Sequence, residues 1–174
     1  MARVRASMAR AYIQGWRYRG IRTCSGRVET QETMTTIQEA FTRDHRRLDT
    51  LFERAEQDLG GDWADCVSAF TIFREAIERH MKTEEAWIFP AYEKKYGNDN
   101  PLTSILRKGH KDLRAFFDEI AEAIVGQDVD EAKGLVGVVA QILKHHDEKE
   151  EAELYPVVAE LLGADAPSVA ALLS

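Results

Sequence analysis

The chain has 174 residues, 44% of them hydrophobic, which suits one domain with an ordinary core. No unbroken run of eighteen apolar residues occurs, which argues against a membrane span, and two cysteines, Cys24 and Cys66, are too few for a disulfide framework and fit a reducing cytosol. The net charge is −7, and residues 1–33 hold seven arginines against Glu29 and Glu32, so the remainder carries −12, a balance that repels nucleic acid.

Residues 1–33 read as a basic N-terminal extension, expected to be a disordered tail or the product of a start assigned too early, since Met34 directly precedes the first good helix signal. An Arg-rich targeting segment is the competing reading. No function rests on it.

Residues 34–174 are predicted to form four amphipathic helices. Thr36-Ile-Gln-Glu39 is a capping box that opens the first. Its apolar stripe is Ile37, Phe41, Leu48, Phe52, Ala55 and Leu59, with His45 in the gap, and Gly60-Gly61 ends it. Asp62 caps a longer second helix with the stripe Phe70, Phe73, Ile77, His80, Glu84, Ile88, Ala91, ending at Gly97-Asn98. Asn100-Pro101 opens the third, with Leu106, His110, Leu113, Phe117, Ile120 and Ile124. The fourth is predicted to start at Asp130 and to turn inward Leu135, Val139, Ile142, His146, Glu150, Leu154, Val157 and Leu161 before Gly163. Residues 165–174 form an apolar tail, either packed on the bundle or frayed. The fold class is therefore all-α, an up-down-up-down four-helix bundle.

The second and fourth helices are copies of one pattern. HMKTEEAWIFPAYEKKYG from His80 aligns without a gap on HDEKEEAELYPVVAELLG from His146, and HRRLDTLF from His45 lies over HKDLRAFF from His110. Each half thus supplies one histidine plus a His-x-x-x-Glu. The register selects His146, with Glu150 one turn on, and leaves His145 about 100° away at the stripe's edge.

Four histidines and two glutamates at core positions pose a physical problem, because a buried charge or unpaired imidazole costs several kcal/mol. Neutral imidazole nitrogens and anionic carboxylates are the donors a pair of transition-metal ions takes, and a His-x-x-x-Glu can aim both at one centre. His45, His80, Glu84, His110, His146 and Glu150 are the candidate metal ligands. Glu85 and Glu151 lie off that face, expected in solvent, although either could orient an outer group. Pro90 and Pro156 remove the donors that would bond the carbonyls of Ala86 and Ala152. The expected result is a kink that opens room above the metals near Phe89 and Tyr155, or else an early helix end.

These motifs, in order and spacing, resemble the hemerythrin family, the HHE cation-binding domain, over nearly everything after Met34. The resemblance implies two non-haem iron ions, one on His45 and His80, the other on His110 and His146, bridged by Glu84, Glu150 and an oxo or hydroxo group. Oxygen-carrying hemerythrins are similar but supply a further histidine where this chain has Arg114. That departure suits peroxide or nitric oxide chemistry at least as well as oxygen storage, and puts Arg114, with Phe89 and Tyr155, among candidate pocket or outer-shell residues. The resemblance implies a protein that binds O2, peroxide or nitric oxide, and can turn them over, in oxidative or nitrosative stress defence or iron-centre repair; the cysteine usage adds the expectation of a cytoplasmic location. The alternatives are a non-catalytic oxygen or iron binder or sensor, and a structural bundle with zinc or no metal. Expected partners are the small ligands, with no nucleic acid and no membrane.

Overall fold

The computed structural model describes residues 36–173, and these form helices joined by short turns, with no strand among them. The basic extension, residues 1–33, lies outside the described residues. Four rods run up and down. The first is α1, Ile37–Asp58; the second is α2, Trp63–Thr83, continued by α3, Phe89–Tyr96; the third is α4, Pro101–Val125; the fourth is α5, Val129–Lys149, continued by α6, Tyr155–Leu162. Connections this short force consecutive rods to lie antiparallel and side by side. α1 packs on α2 and α6, α4 on α5 and α2, and α3 on α6, which closes the bundle.

The helix ends follow the sequence signals. Thr36 and Glu39 exchange both capping-box bonds, Asp62 accepts from the amides of Ala64 and Asp65, and Asn100 accepts from Leu102 with Pro101 in the first turn. Gly97 and Gly163, equivalent in the repeat, end their rods at φ 95° and 49°, where a side chain would be strained. The fourth rod begins earlier than expected. Asp128, not Asp130, caps it, because the Asp128 carboxylate reaches the Glu131 amide at 3.0 Å.

Neither proline breaks its rod. Between α2 and α3 the chain makes a π-helical turn, Glu84–Ile88, and between α5 and α6 a second, Glu150–Leu154, closed by bonds from the amides of Phe89 and Tyr155 back to the carbonyls of Glu84 and Glu150. Pro90 and Pro156 then sit in the first turn of α3 and α6, where a missing N–H is tolerated. The extra residue in each turn rotates the helix beyond it by about 100°. In place of Ala91 and Val157, which are half-buried, the inward residues are Phe89, Tyr155 and Val158, each with no exposed surface. The expected phase is also off in α5, where Val136 and Leu143 are buried and Leu135 and Ile142 only partly so.

The core is divided into two apolar clusters. One gathers Leu48, Phe52, Phe73, Leu113, Phe117 and Leu143 with their neighbours; the other gathers Phe41, Ile88, Phe89, Leu106, Leu154 and Tyr155. The tail joins the second cluster through Val169 in α7, Ala166–Ala170, and Leu173, so it is packed and not frayed. Each fully buried aliphatic or aromatic side chain contributes about 1.5–3 kcal/mol. On every rod the polar residues fall between the two clusters: His45, His80 with Glu84, His110, and His146 with Glu150.

The stretch Val129–Leu173 is long and apolar enough by composition to cross a membrane, although it has no unbroken apolar run. Its apolar residues include Val136, Val139, Leu143, Leu154 and Val158, which serve the bundle core.

Candidate metal centre

Glu84, Glu150 and His110 have no exposed surface, and His45 and His80 are 3% and 2% exposed. Their donor atoms form two groups that share the glutamates: His45, His80, Glu84 and Glu150, and Glu84, His110, His146 and Glu150, with all ligand atoms of a group within 4.8 Å of one another. The two oxygens of each carboxylate part company. Glu84 Oε1 faces His80 Nε2 at 3.6 Å while Oε2 faces His110 Nε2 at 3.3 Å; Glu150 Oε2 faces His45 Nε2 at 3.5 Å while Oε1 faces His146 Nε2 at 2.9 Å. Either group could hold one metal ion, with both carboxylates spanning the pair.

The polar inventory points the same way. The buried side-chain atoms without a well-aligned hydrogen bond, among the described residues, are Glu84 Oε2, His110 Nε2, His146 Nε2 and Glu150 Oε1, although they face one another in pairs at 3.3 and 2.9 Å. Leaving such an atom unpaired costs about 1–3 kcal/mol, and all four belong to the second group. A cation there would satisfy them together, so the residues fit the ion that the donor set implies.

Three of the four imidazoles are oriented from behind. His45 Nδ1 bonds Glu151 Oε1, His80 Nδ1 bonds Asp44 Oδ2 and His110 Nδ1 bonds Glu85 Oε1, each at 2.9 Å, which turns Nε2 toward the interior. Glu85 and Glu151 are thus half-buried partners of the histidines, not free surface acids. Asp44, 6% exposed, went unremarked in the sequence although the residue before a stripe histidine can face the next rod. Asp147, 3.8 Å from His45 Nε2, was also missed. Among the described residues no such carboxylate stands behind His146. Gly109 lies there instead, and a Cβ on it would come within 2.8 Å of His146 Nδ1.

Arg114 does not fold over the centre. It forks Glu78 and Glu85, with Nε 2.8 Å from Glu78 Oε2 and Nη1 2.8 Å from the Glu85 oxygen that His110 uses. Phe89 stacks on His110 at 5.3 Å, and Tyr155 lies over His45 at 5.6 Å. His145 points to solvent, 75% exposed, near Glu148.

Without metal the charges lock together. Burial opposes protonation of His80, but the Glu84 charge and the Asp44 bond outweigh it and hold the imidazole at about 9. Burial also works against His110, which Glu84 and Glu85 likewise raise to about 9, and against His45, which Glu150 and Glu151 raise well above the usual histidine range. Burial pushes Glu84 up, yet His80 and His110 hold it well below the carboxylate range; the His110 bond carries Glu85 down to about 2. Burial raises Asp147 to about 6.

A family model described as Hemerythrin HHE cation binding domain matches residues 36–158. No curated protein and no solved structure matches the chain.

Proposed function

Because the chain belongs to the hemerythrin HHE cation-binding domain family, we propose that it is a non-haem di-iron protein that binds O2, peroxide or nitric oxide and turns over the last two in stress defence within the cytoplasm. The observation that carries the reading is the division of Glu84 and Glu150 between two histidine pairs, with four orphaned donor atoms converging on one of them. His45 and His80 would hold one iron, His110 and His146 the other, and the two carboxylates would span both. Two adjacent irons supply one- and two-electron exchange with small oxidants. Nitrogen-rich ligation favours a retained centre over released iron, which argues against storage.

The protein's own part is to fix and to shield. Asp44, Glu85 and Glu151 hold three imidazoles by Nδ1, so Nε2 is presented without rotation. Apolar clusters flank the centre above and below and keep it away from bulk water. Arg114, at the place of the carriers' additional histidine, spends its donors on Glu78 and Glu85 and offers the metals no nitrogen. That supports turnover chemistry over a pure oxygen carrier.

The test is elemental analysis of the full-length protein purified anaerobically, followed by exposure to O2, peroxide and nitric oxide. Two irons per chain and consumption of peroxide or nitric oxide with return to the resting spectrum are expected. Reversible oxygenation without turnover would return the carrier or sensor reading; one zinc, or no metal, in a folded protein would end the di-iron reading.

A further inference from the structure

Tyr155 and Phe89 are equivalent in the repeat. Each lies five residues beyond a shared glutamate, and each is brought inward by its π turn. They differ by one oxygen atom, which is buried at the centre. Tyr155 Oη donates to Glu84 Oε1 at 2.5 Å and lies 3.1 Å from Glu150 Oε2 and 3.0 Å from His45 Nε2. These contacts are the oxygens and the nitrogen that face the first metal position, and the fourth donor, His80 Nε2, is 3.1 Å from His45 Nε2.

Neighbouring donors on an octahedral ion with bonds of about 2.1 Å stand about 3 Å apart. Two of the Oη contacts, at 3.0 and 3.1 Å, match that edge length and the third, to Glu84 Oε1, is shorter at 2.5 Å, so the hydroxyl stands among the donors of the first position instead of behind one of them. Phe89 offers the second position no counterpart, and the four donors there are the ones left without well-aligned hydrogen bonds.

Resting on the di-iron reading, we propose that Tyr155 Oη is a fifth protein donor to the metal held by His45 and His80, while the metal on His110 and His146 has four. As the Oη–metal bond forms the O–H bond breaks, the proton leaves to solvent, and no electron is exchanged. The irons are therefore unequal. The small ligand binds at the His110–His146 iron, beside Phe89, where no protein oxygen competes.

The experiment is spectroscopy of the full-length protein loaded with ferric iron, wild type against Tyr155→Phe, with iron content, helical circular dichroism and proton release on loading measured in parallel. Phe is already accommodated at the equivalent position 89, so the variant is expected to fold. The wild type should show a phenolate-to-iron charge-transfer band with resonance-enhanced phenolate ring modes that shift when tyrosine is ring-deuterated. Tyr155→Phe should keep two irons, lose the band and modes, and release one proton fewer. A wild-type protein with two irons and no tyrosine-dependent modes, or a Tyr155→Phe spectrum and proton count equal to wild type, overturns the assignment and leaves the di-iron reading intact. Absence of iron from the wild type would remove both.

Discussion

Asp44 and Gly109 each precede a histidine, His45 and His110, at equivalent points of the repeat, and each faces the histidine of the next rod. The Asp44 carboxylate anchors His80, whereas Gly109 gives His146 only room. Asp44→Ala should therefore weaken metal binding by about 10–100-fold, as loss of an orienting partner generally does; chelator competition measures it, and an unchanged affinity would show the bond to be idle. Gly109→Ala pulls in two directions. The methyl improves helix propensity by up to about 1 kcal/mol, but it would stand 2.8 Å from His146 Nδ1. We expect the metal-free protein to keep or gain stability while one of the two metals binds more weakly, so comparing Tm with metal stoichiometry separates the effects. His145→Leu is the control: its ring is in solvent, and metal content should stay at the wild-type value by elemental analysis.

At the scale of elements, the π turns decide what the centre is made of. In a regular α-helix a residue five beyond Glu150 would lie about 140° from it around the axis; the added residue brings Tyr155 back, 3.1 Å from the Glu150 carboxylate. Such turns cost hydrogen-bond quality and recur at functional sites. Ala152 is exposed within the second turn. Deleting it should restore α spacing, rotate α6 by about 100° and turn Tyr155 and Val158 out of the core, a loss of at least about 3 kcal/mol from two buried side chains. At this chain length that corresponds to a Tm lower by about 6 °C or more. Calorimetry showing no change would mean that the phase of α6 is not set by the turn.

For the molecule as a whole, the centre couples stability to pH in opposite senses with and without metal. In the metal-free protein, His80 and His110 are raised from 6.5 to about 9, so their stabilising pairs are complete below 6.5 and lost as pH rises through 9. Glu84 and Glu150 are depressed, so their contribution is complete above 4.5 and lost as pH falls through their folded values. Asp147, raised from 3.8 to about 6, stabilises below 3.8 and loses that as pH rises through 6. Apo stability should therefore be greatest on the mildly acid side of neutrality and fall toward pH 9, as urea melts across this range would show. Metal requires neutral imidazoles, so affinity should instead rise with pH up to about 9. At pH 7, loading should release up to three protons from His45, His80 and His110, in addition to any from Tyr155; release of none would mean that these imidazoles are already neutral before metal binds.

The number of helices, most of their caps, the internal repeat and the inward faces on which the four histidines and two glutamates lie can all be read from the order of the amino acids. All of these rest on local signals: capping side chains, glycine stops and a 3.6-residue stripe interrupted at matched places. Packing of the rods was needed to reveal how each carboxylate divides its oxygens, that Asp44, Glu85 and Glu151 stand behind three of the histidines, that Arg114 turns to Glu78 and Glu85, and that Phe89 and Tyr155 face inward. The partners come from other rods, so their approach depends on how helices are set against one another. The phase of α3 and α6 depends on an i to i−5 hydrogen bond, which a periodic stripe does not encode.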